Sequence, residues 1–269
     1  MAEAPKPPPE KKWLSASFRQ QPGGQRMPAS SPATTKAQEP QAKLYAQGGA
    51  APTGTGLDSS RIRSNMVQRL IAQGLDSEVV QNAMRQVERH RFVDSALVNQ
   101  AYEDTSLPIG LGQTISKPSV VARMLSLLCE GREVPLGRVL EIGTGCGYQA
   151  TVMSYLAKEV YSIERLKGLH DKARANLRPL HRANVHLLFS DGLLAYEKGA
   201  PYAGIVSAAG GDNIPQAWLD QLAVGGRLIA PCQTGPGQQS LVVVDRTDQG
   251  FVSRTLEPVL FVPLKSGTA

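Results

Sequence analysis

A glycine-rich turn constrains the topology of this chain more tightly than any other feature. RVLEIG (138–143) is a short run of branched apolar residues that leads into Gly143-Thr144-Gly145-Cys146-Gly147, and a helical pattern follows over 148–157. A strand feeding a helix through a tight glycine turn is the opening half of a β-α-β unit. The pattern then repeats. KEVYSIE (158–164) reads as a strand, LKGLHDKARANLRPL (166–180) as a helix and NVHLLFSD (184–191) as a strand. AGIVSAA (203–209), GGRLIAP (225–231) and SLVVVDR (240–246) read as further strands, with 214–222 helical between the first two. Such alternation predicts an α/β fold, a doubly wound, mainly parallel sheet with helices on both faces. Upstream, Met66, Leu70 and Ile71 keep a helical spacing. After Gly74, Asp76 is placed to cap a second helix whose apolar stripe is Val79, Val80, Ala83, Met84 and Val87.

In a sheet of this kind ligands lie beyond the carboxyl ends of the strands, at the switch point, so the turn at 143–147 is where a ligand is expected. Glycine removes the Cβ atoms that would keep a ligand off the main chain. Spacing bears on which ligand. The dinucleotide fingerprint G-x-G-x-x-G needs a glycine at 148, where Tyr148 stands; the chain instead has G-x-G-x-G with Glu141 two residues ahead. Glu141 suits a cation, and S-adenosylmethionine carries both an ammonium and a sulfonium. Glu164 closes the second strand 23 residues later and is placed to accept both ribose hydroxyls, a role that serves NAD equally well. Asp191, in Ser190-Asp191-Gly192, closes the third strand and is placed to accept from an adenine amino group. Each acid alone reads as readily as a solvated strand end or a helix cap. Together with the turn they favour a nucleoside-sulfonium site. A nicotinamide oxidoreductase, or a methyltransferase acting on small molecules or RNA, stays open at this level.

The segment 1–57 is rich in Pro, Gln, Ala, Gly, Ser and Thr, so it has too little apolar surface to offset its ordering entropy and is expected to be a disordered tail. Trp13, Leu14 and Phe18, flanked by Lys11, Lys12 and Arg19, could instead make a short docking helix. The remaining 58–269 is long enough for one catalytic domain. Its part 58–130 is helical and substrate-side, and 131–269 holds the cofactor sheet and a C-terminal substrate segment. The formal charge of +6 hints at nucleic acid, but residues 1–50 hold seven basic against three acidic side chains and carry +4 of it. The nearly neutral remainder offers no phosphate-tracking surface, so no nucleic-acid partner is expected. No apolar run approaches the roughly 18 residues of a membrane span and no secretory core opens the chain, which argues for no membrane partner and a cytoplasmic location. Cys129, Cys146 and Cys232 are odd in number and far apart, and His90, His170, His181 and His186 lack ligand spacing. Packed thiols, surface or helix-end histidines and no metal site are expected.

Beyond the turn, longer segments carry a family resemblance. RHRFVDSALVNQAYEDTSLPIGLGQTISKPSVVARM, RVLEIGTGCGYQA, SIERLKGLHDKAR, SDG, APYAGIVSAA, IPQAWLDQLAVGGRLIAP and FVPL together resemble bacterial protein-L-isoaspartate O-methyltransferases, from about Arg61 to Leu264. The glycine loop is common to many methyltransferases, whereas LPIGLGQTIS-x-P and the late FVPL are far more specific. The resemblance implies a class I, Rossmann-like methyltransferase that uses S-adenosyl-L-methionine to methylate the α-carboxyl of L-isoaspartyl residues in damaged proteins and peptides. The ester then collapses to a succinimide, whose hydrolysis restores some normal aspartate.

By the same resemblance the catalytic serine is Ser116, orienting by hydrogen bonds and not attacking covalently. Thr114, Ile115 and Val121 join Glu141, Gly143, Thr144, Gly145, Gly147, Glu164, Asp191 and Gly192 around the cofactor. Thr114, Val262, Pro263 and Leu264 hold the substrate backbone, and the enzyme is expected to act as a monomer. Three positions depart from the family pattern. Ala203 stands where P-Y/F-D-x-I has Asp, Cys146 replaces a serine of the loop, and Ser190 replaces the glycine before Asp191. Ala203 leaves a second reading, a member that binds cofactor or isoaspartyl peptide as an adaptor with little or no turnover.

Overall fold

The computed structural model describes residues 60–269; the expected tail over 1–57, with its Trp13–Phe18 segment, lies outside them. Helices α1 (Ser60–Ala72) and α2 (Glu78–Gln86) come first, then a small hairpin of β1 (Leu107–Gly110) and β2 (Gln113–Ile115), then α3 (Pro118–Cys129). The alternating part follows as β3 (Leu136–Ile142), α4 (Tyr148–Met153), β4 (Ala157–Glu164), α5 (Lys167–Leu177), β5 (Val185–Phe189), β6 (Tyr202–Ser207) and α6 (Gln216–Gln221). Three long strands close it: β7 (Leu222–Gly235), β8 (Gln238–Thr247) and β9 (Gly250–Val259).

The seven strands of the main sheet run β5-β4-β3-β6-β7-β8-β9. The first five are parallel to their neighbours, and β8 and β9 add on antiparallel. From β3 the chain winds outward to β5 and then returns to lay β6 on the other side of β3, so the strand order reverses there. Neighbouring residues of β3 point to opposite faces. On one face Val139 lies near Leu128 of α3, and at Gly204 of β6 a Cβ would stand 2.5 Å from Leu128 Cδ1, so the missing side chain lets α3 settle on the sheet. On the other face Leu140 and Ile142 join Trp218 of α6, 1% exposed, in the core. The Trp218 indole N–H donates to Gly192 O at 2.8 Å, which removes the cost of burying it. Helices thus cover both faces, as the alternation requires, and among the described residues none is long and apolar enough to cross a membrane.

The local expectations need correction at several points. Ser77, not Asp76, is the residue preceding α2, and it makes no side-chain cap. Val79 is 38% exposed and drops out of the apolar stripe, whereas Val80, Ala83 and Met84 are buried. The helix expected over 148–157 stops at Met153, because the backbone from Ala157 is claimed by pairing with Leu136 of β3. His170 is not a surface histidine: it is buried on α5 with its ring centroid 5.8 Å from that of Phe189. The three cysteines are free and buried.

Candidate functional site

The carboxyl end of β3 opens into a cleft of about 480 Å³, a size suited to a nucleoside-based ligand. The turn after β3 forms its floor. Gly143, Gly145 and Gly147 take φ of 89°, 56° and 89°, a region that L side chains seldom enter, so the turn depends on glycine. Gly143 and Thr144 donate their N–H groups to Ile163 O at 2.8 and 3.1 Å, which locks the turn onto the end of β4. A second clasp comes from a side chain. Glu164 accepts Gly145 N–H at 2.9 Å on Oε2 and Leu166 N–H at 2.9 Å on Oε1. Each of these oxygens keeps a further lone pair for a ligand hydroxyl.

Glu141 sits in the wall of the cleft at 0% exposure, in register with Ser162 of β4. Ser162 Oγ donates to its Oε2 and shares a hydrogen bond of 2.6 Å with Thr144 Oγ1. Burial pushes the Glu141 carboxyl up to about 8, against the lowering effect of the Ser162 bond. The buried Gln149 side chain, which also lines the cleft, lowers it as well, interacting with the carboxyl outside strict hydrogen-bond geometry. A buried carboxyl in the wall, beside a glycine turn and a second acid at the end of β4, suits a cationic nucleoside such as S-adenosylmethionine, so the residues present fit that group.

Opposite the turn stands the β1–β2 hairpin. It brings Thr114, Ile115 and Ser116 to the cleft, with Val121 of α3 behind them. No described residue hydrogen-bonds the half-buried Ser116 hydroxyl, while the Ser116 carbonyl is held by Arg89 Nη2 at 2.7 Å. The third wall is Val262, Pro263 and Leu264. This segment is not part of a named strand; Gly210 N–H donates to Val262 O at 2.8 Å and Leu264 N–H to Gly210 O at 2.7 Å. A Cβ at Gly210 would lie 2.5 Å from the Gln239 side-chain nitrogen, so a larger residue there would displace that side chain.

Of the residues expected at the site, the cleft gathers Thr114, Ile115, Ser116, Val121, Glu141, Gly143, Thr144, Gly145, Glu164, Gly192 and the Val262–Leu264 segment. Gly147 and Asp191 stand outside its walls. A Cβ on Gly147 would meet Leu177 Cδ1 at 2.4 Å, so this glycine serves the packing of α5 against the turn. Asp191 accepts Leu193 N–H at 2.9 Å on Oδ1 and Gly267 N–H at 2.6 Å on Oδ2. The chain beyond Leu264 is the cause. Lys167 N–H donates to Ala269 O at 2.7 Å and Ala269 N–H to Arg165 O at 2.8 Å, laying a strap of residues 265–269 beside the head of α5.

Some walls had no signal in the sequence reading. Leu111, at the hairpin tip with φ 52°, and Arg165, Leu166 and Leu169 around the start of α5 line the cleft as well. The Gly110-Leu111-Gly112 triplet was the available hint for the first. Ala203 is at the opposite end: Val139 of β3 pairs with its neighbour Gly204, about 10 Å of strand before the turn.

Known proteins match this arrangement. The family model described as protein-L-isoaspartate(D-aspartate) O-methyltransferase matches residues 60–269. Protein-L-isoaspartate O-methyltransferase of Methylibium petroleiphilum is 57% identical over 225 residues, covering 82% of this chain and 83% of its own. That of Dechloromonas aromatica is 50% identical over 215 residues, 80% of this chain and 98% of its own. A solved protein-L-isoaspartate O-methyltransferase superposes with TM-score 0.69 at 28% identity, over 76% of this chain and 66% of that one. A solved Plasmodium falciparum protein described as a beta-aspartate methyltransferase, in complex with S-adenosyl-L-homocysteine, gives TM-score 0.67 at 25% identity over 76% and 98%. The chain belongs to the protein-L-isoaspartate(D-aspartate) O-methyltransferase family.

Proposed function

We propose that the cleft performs the family's repair reaction through the residues gathered in it: methyl transfer from S-adenosyl-L-methionine to the α-carboxyl of L-isoaspartyl residues in damaged proteins and peptides. One observation carries this reading. Ser116, the glycine turn and the Val262–Leu264 segment line a single cleft at the switch point. S-adenosylmethionine supplies a methyl on a cationic sulfur, which a carboxylate oxygen takes while the carbon–sulfur electron pair stays on sulfur.

The chain's own part is positioning. A carboxylate is ionised near neutral pH, so no residue has to remove a proton. Ser116, with no base bonded to its hydroxyl, acts as a hydrogen-bond donor that aims the carboxylate. The apolar walls from Ile115, Val121 and Leu264 exclude water from it. On the cofactor side Gly143 and Gly145 let the ligand lie against the main chain, Glu164 takes the ribose hydroxyls and Glu141 faces the cationic end. Val262, Pro263 and Leu264 present main chain to a substrate defined by its extra backbone methylene, which leaves flanking side chains free to vary.

The adaptor alternative loses its support, because Ala203 lies at the far end of β6 from the cleft. We also propose that the enzyme works as a cytoplasmic monomer; light scattering of the purified protein tests its oligomeric state. The deciding assay is incubation with methyl-labelled cofactor and an isoaspartyl peptide. Base-labile label in the peptide and stoichiometric S-adenosylhomocysteine are expected. Binding of both partners with no product would overturn the reading.

A further inference from the structure

Arg89 has 0% exposure, yet it makes no ion pair among the described residues. Its two hydrogen bonds go to main-chain carbonyls, Nε to Ala101 O at 2.8 Å and Nη2 to Ser116 O at 2.7 Å. The guanidinium carbon lies 4.7 Å from the centroid of the Tyr148 ring, and the buried Tyr148 hydroxyl interacts with the guanidinium as well, outside strict hydrogen-bond geometry. Burying a cation without a carboxylate in contact is costly. A side chain serving only the core would be replaced without loss by an apolar one of the same length. What the guanidinium alone provides is geometry. Its rigid fork reaches two separate carbonyls while its flat face covers an aromatic ring.

The three groups it joins belong to different parts of the site. Ala101 follows a 3-10 turn of the N-terminal region, Ser116 ends the hairpin, and Tyr148 opens α4 directly after the glycine turn. Tyr148 is itself fixed, 1% exposed, with its ring edge-on to Phe92 at 5.6 Å. The main chain just after Ser116 is pinned too, by Asp104 accepting Ser119 N–H at 2.8 Å. A hydroxyl on a short hairpin would otherwise drift relative to the turn it faces.

We propose that Arg89 is a positioning residue of methyl transfer: by linking the Ser116 carbonyl to the Tyr148 ring through its guanidinium, it sets the distance between the serine hydroxyl and the cofactor turn. The inference rests on Ser116 being the aligning hydroxyl. It predicts that loss of Arg89 lowers kcat while leaving cofactor affinity and substrate KM nearly untouched, because neither ligand touches the guanidinium.

The test is a double-mutant cycle with the full chain. Arg89→Met, Ser116→Ala and the pair are compared for kcat, for KM of an isoaspartyl peptide and for Kd of S-adenosylhomocysteine. Arg89→Met is expected to lower kcat by about 10- to 100-fold, with Kd within about threefold. In the Ser116→Ala background the same change is expected to cost less than about twofold. Thermal melting accompanies each variant, and if Arg89→Met loses its cooperative transition, Arg89→Lys takes its place in the cycle. In Arg89→Ala, millimolar guanidinium is expected to restore part of kcat saturably and to leave the parent enzyme unaffected. Losses that multiply in the double variant, or a fall in affinity matching the fall in kcat, overturn the role of Arg89 and leave Ser116 standing. A fully active Ser116→Ala would remove both.

Discussion

Glu164 and Gly145 are joined by a hydrogen bond of 2.9 Å from the turn's N–H to the carboxylate at the end of β4. The residue expected to hold the cofactor's ribose is therefore also a brace for the turn on which the cofactor rests. Its loss acts on binding twice, by removing an acceptor and by freeing Gly145.

Glu164→Ala is expected to weaken binding of S-adenosylhomocysteine by about 1.5–3 kcal/mol, the range for hydrogen bonds to a charged group. Isothermal titration calorimetry measures it. An unchanged dissociation constant would remove Glu164 from the cofactor site.

Ser116→Ala behaves differently. Its hydroxyl has no partner among the described residues to lose, so stability and cofactor affinity should stay close to the parent while kcat falls at least tenfold. Steady-state kinetics beside a binding titration separates the two effects, and equal turnover would exclude an aligning role.

Glu141 gives a pH dependence of known sign. Burial raises its folded-state pKa to about 8, so the fold favours the protonated carboxyl. That contribution is complete below the unfolded value near 4.5 and is lost as pH rises toward 8, by up to about 1.4 kcal/mol per pH unit. Glu141→Gln, which stays neutral, should melt increasingly above the parent as pH goes from 5 to 8. Parallel melting curves would show that this carboxyl does not titrate in the folded protein.

Gly147→Ala tests the division of labour within the turn. The new Cβ would fall 2.4 Å from Leu177 Cδ1 at a backbone φ of 89°, so a stability loss of about 1–3 kcal/mol in urea denaturation is expected. Cofactor affinity should change less than it does for Gly145→Ala, whose side chain would point toward Ile109 in the cleft wall. The opposite ranking would make Gly147 a cofactor contact.

What could be read from the sequence was local. RVLEIG and its glycines announce a strand and a turn by composition within ten residues, and Glu141 and Glu164 follow from the ends of two successive strands. The family segments extended this to Ser116 and Val262–Leu264, which no spacing argument could bring together. Other features depend on contacts made only after folding. Asp191 reads as a strand-end acid, and the bond that its second oxygen accepts from Gly267, 76 residues later, has no signature in the sequence. Gly147 looks like a cofactor glycine until Leu177 fills the space above it. Arg89 has no local signature, since its partners lie 12 and 27 residues away. β9 escaped because its outer position leaves most of its residues exposed, which erases the apolar alternation that marks an inner strand.

The strap of residues 265–269 bears on how the enzyme is handled. Because Ala269 is hydrogen-bonded on both sides to the main chain at Arg165 and Lys167, any affinity handle fused after it starts beside Arg165 and Leu166, two walls of the cleft. Whatever is joined to Ala269 thus departs from the rim of the cleft, and turnover is best compared with the handle present and cut away.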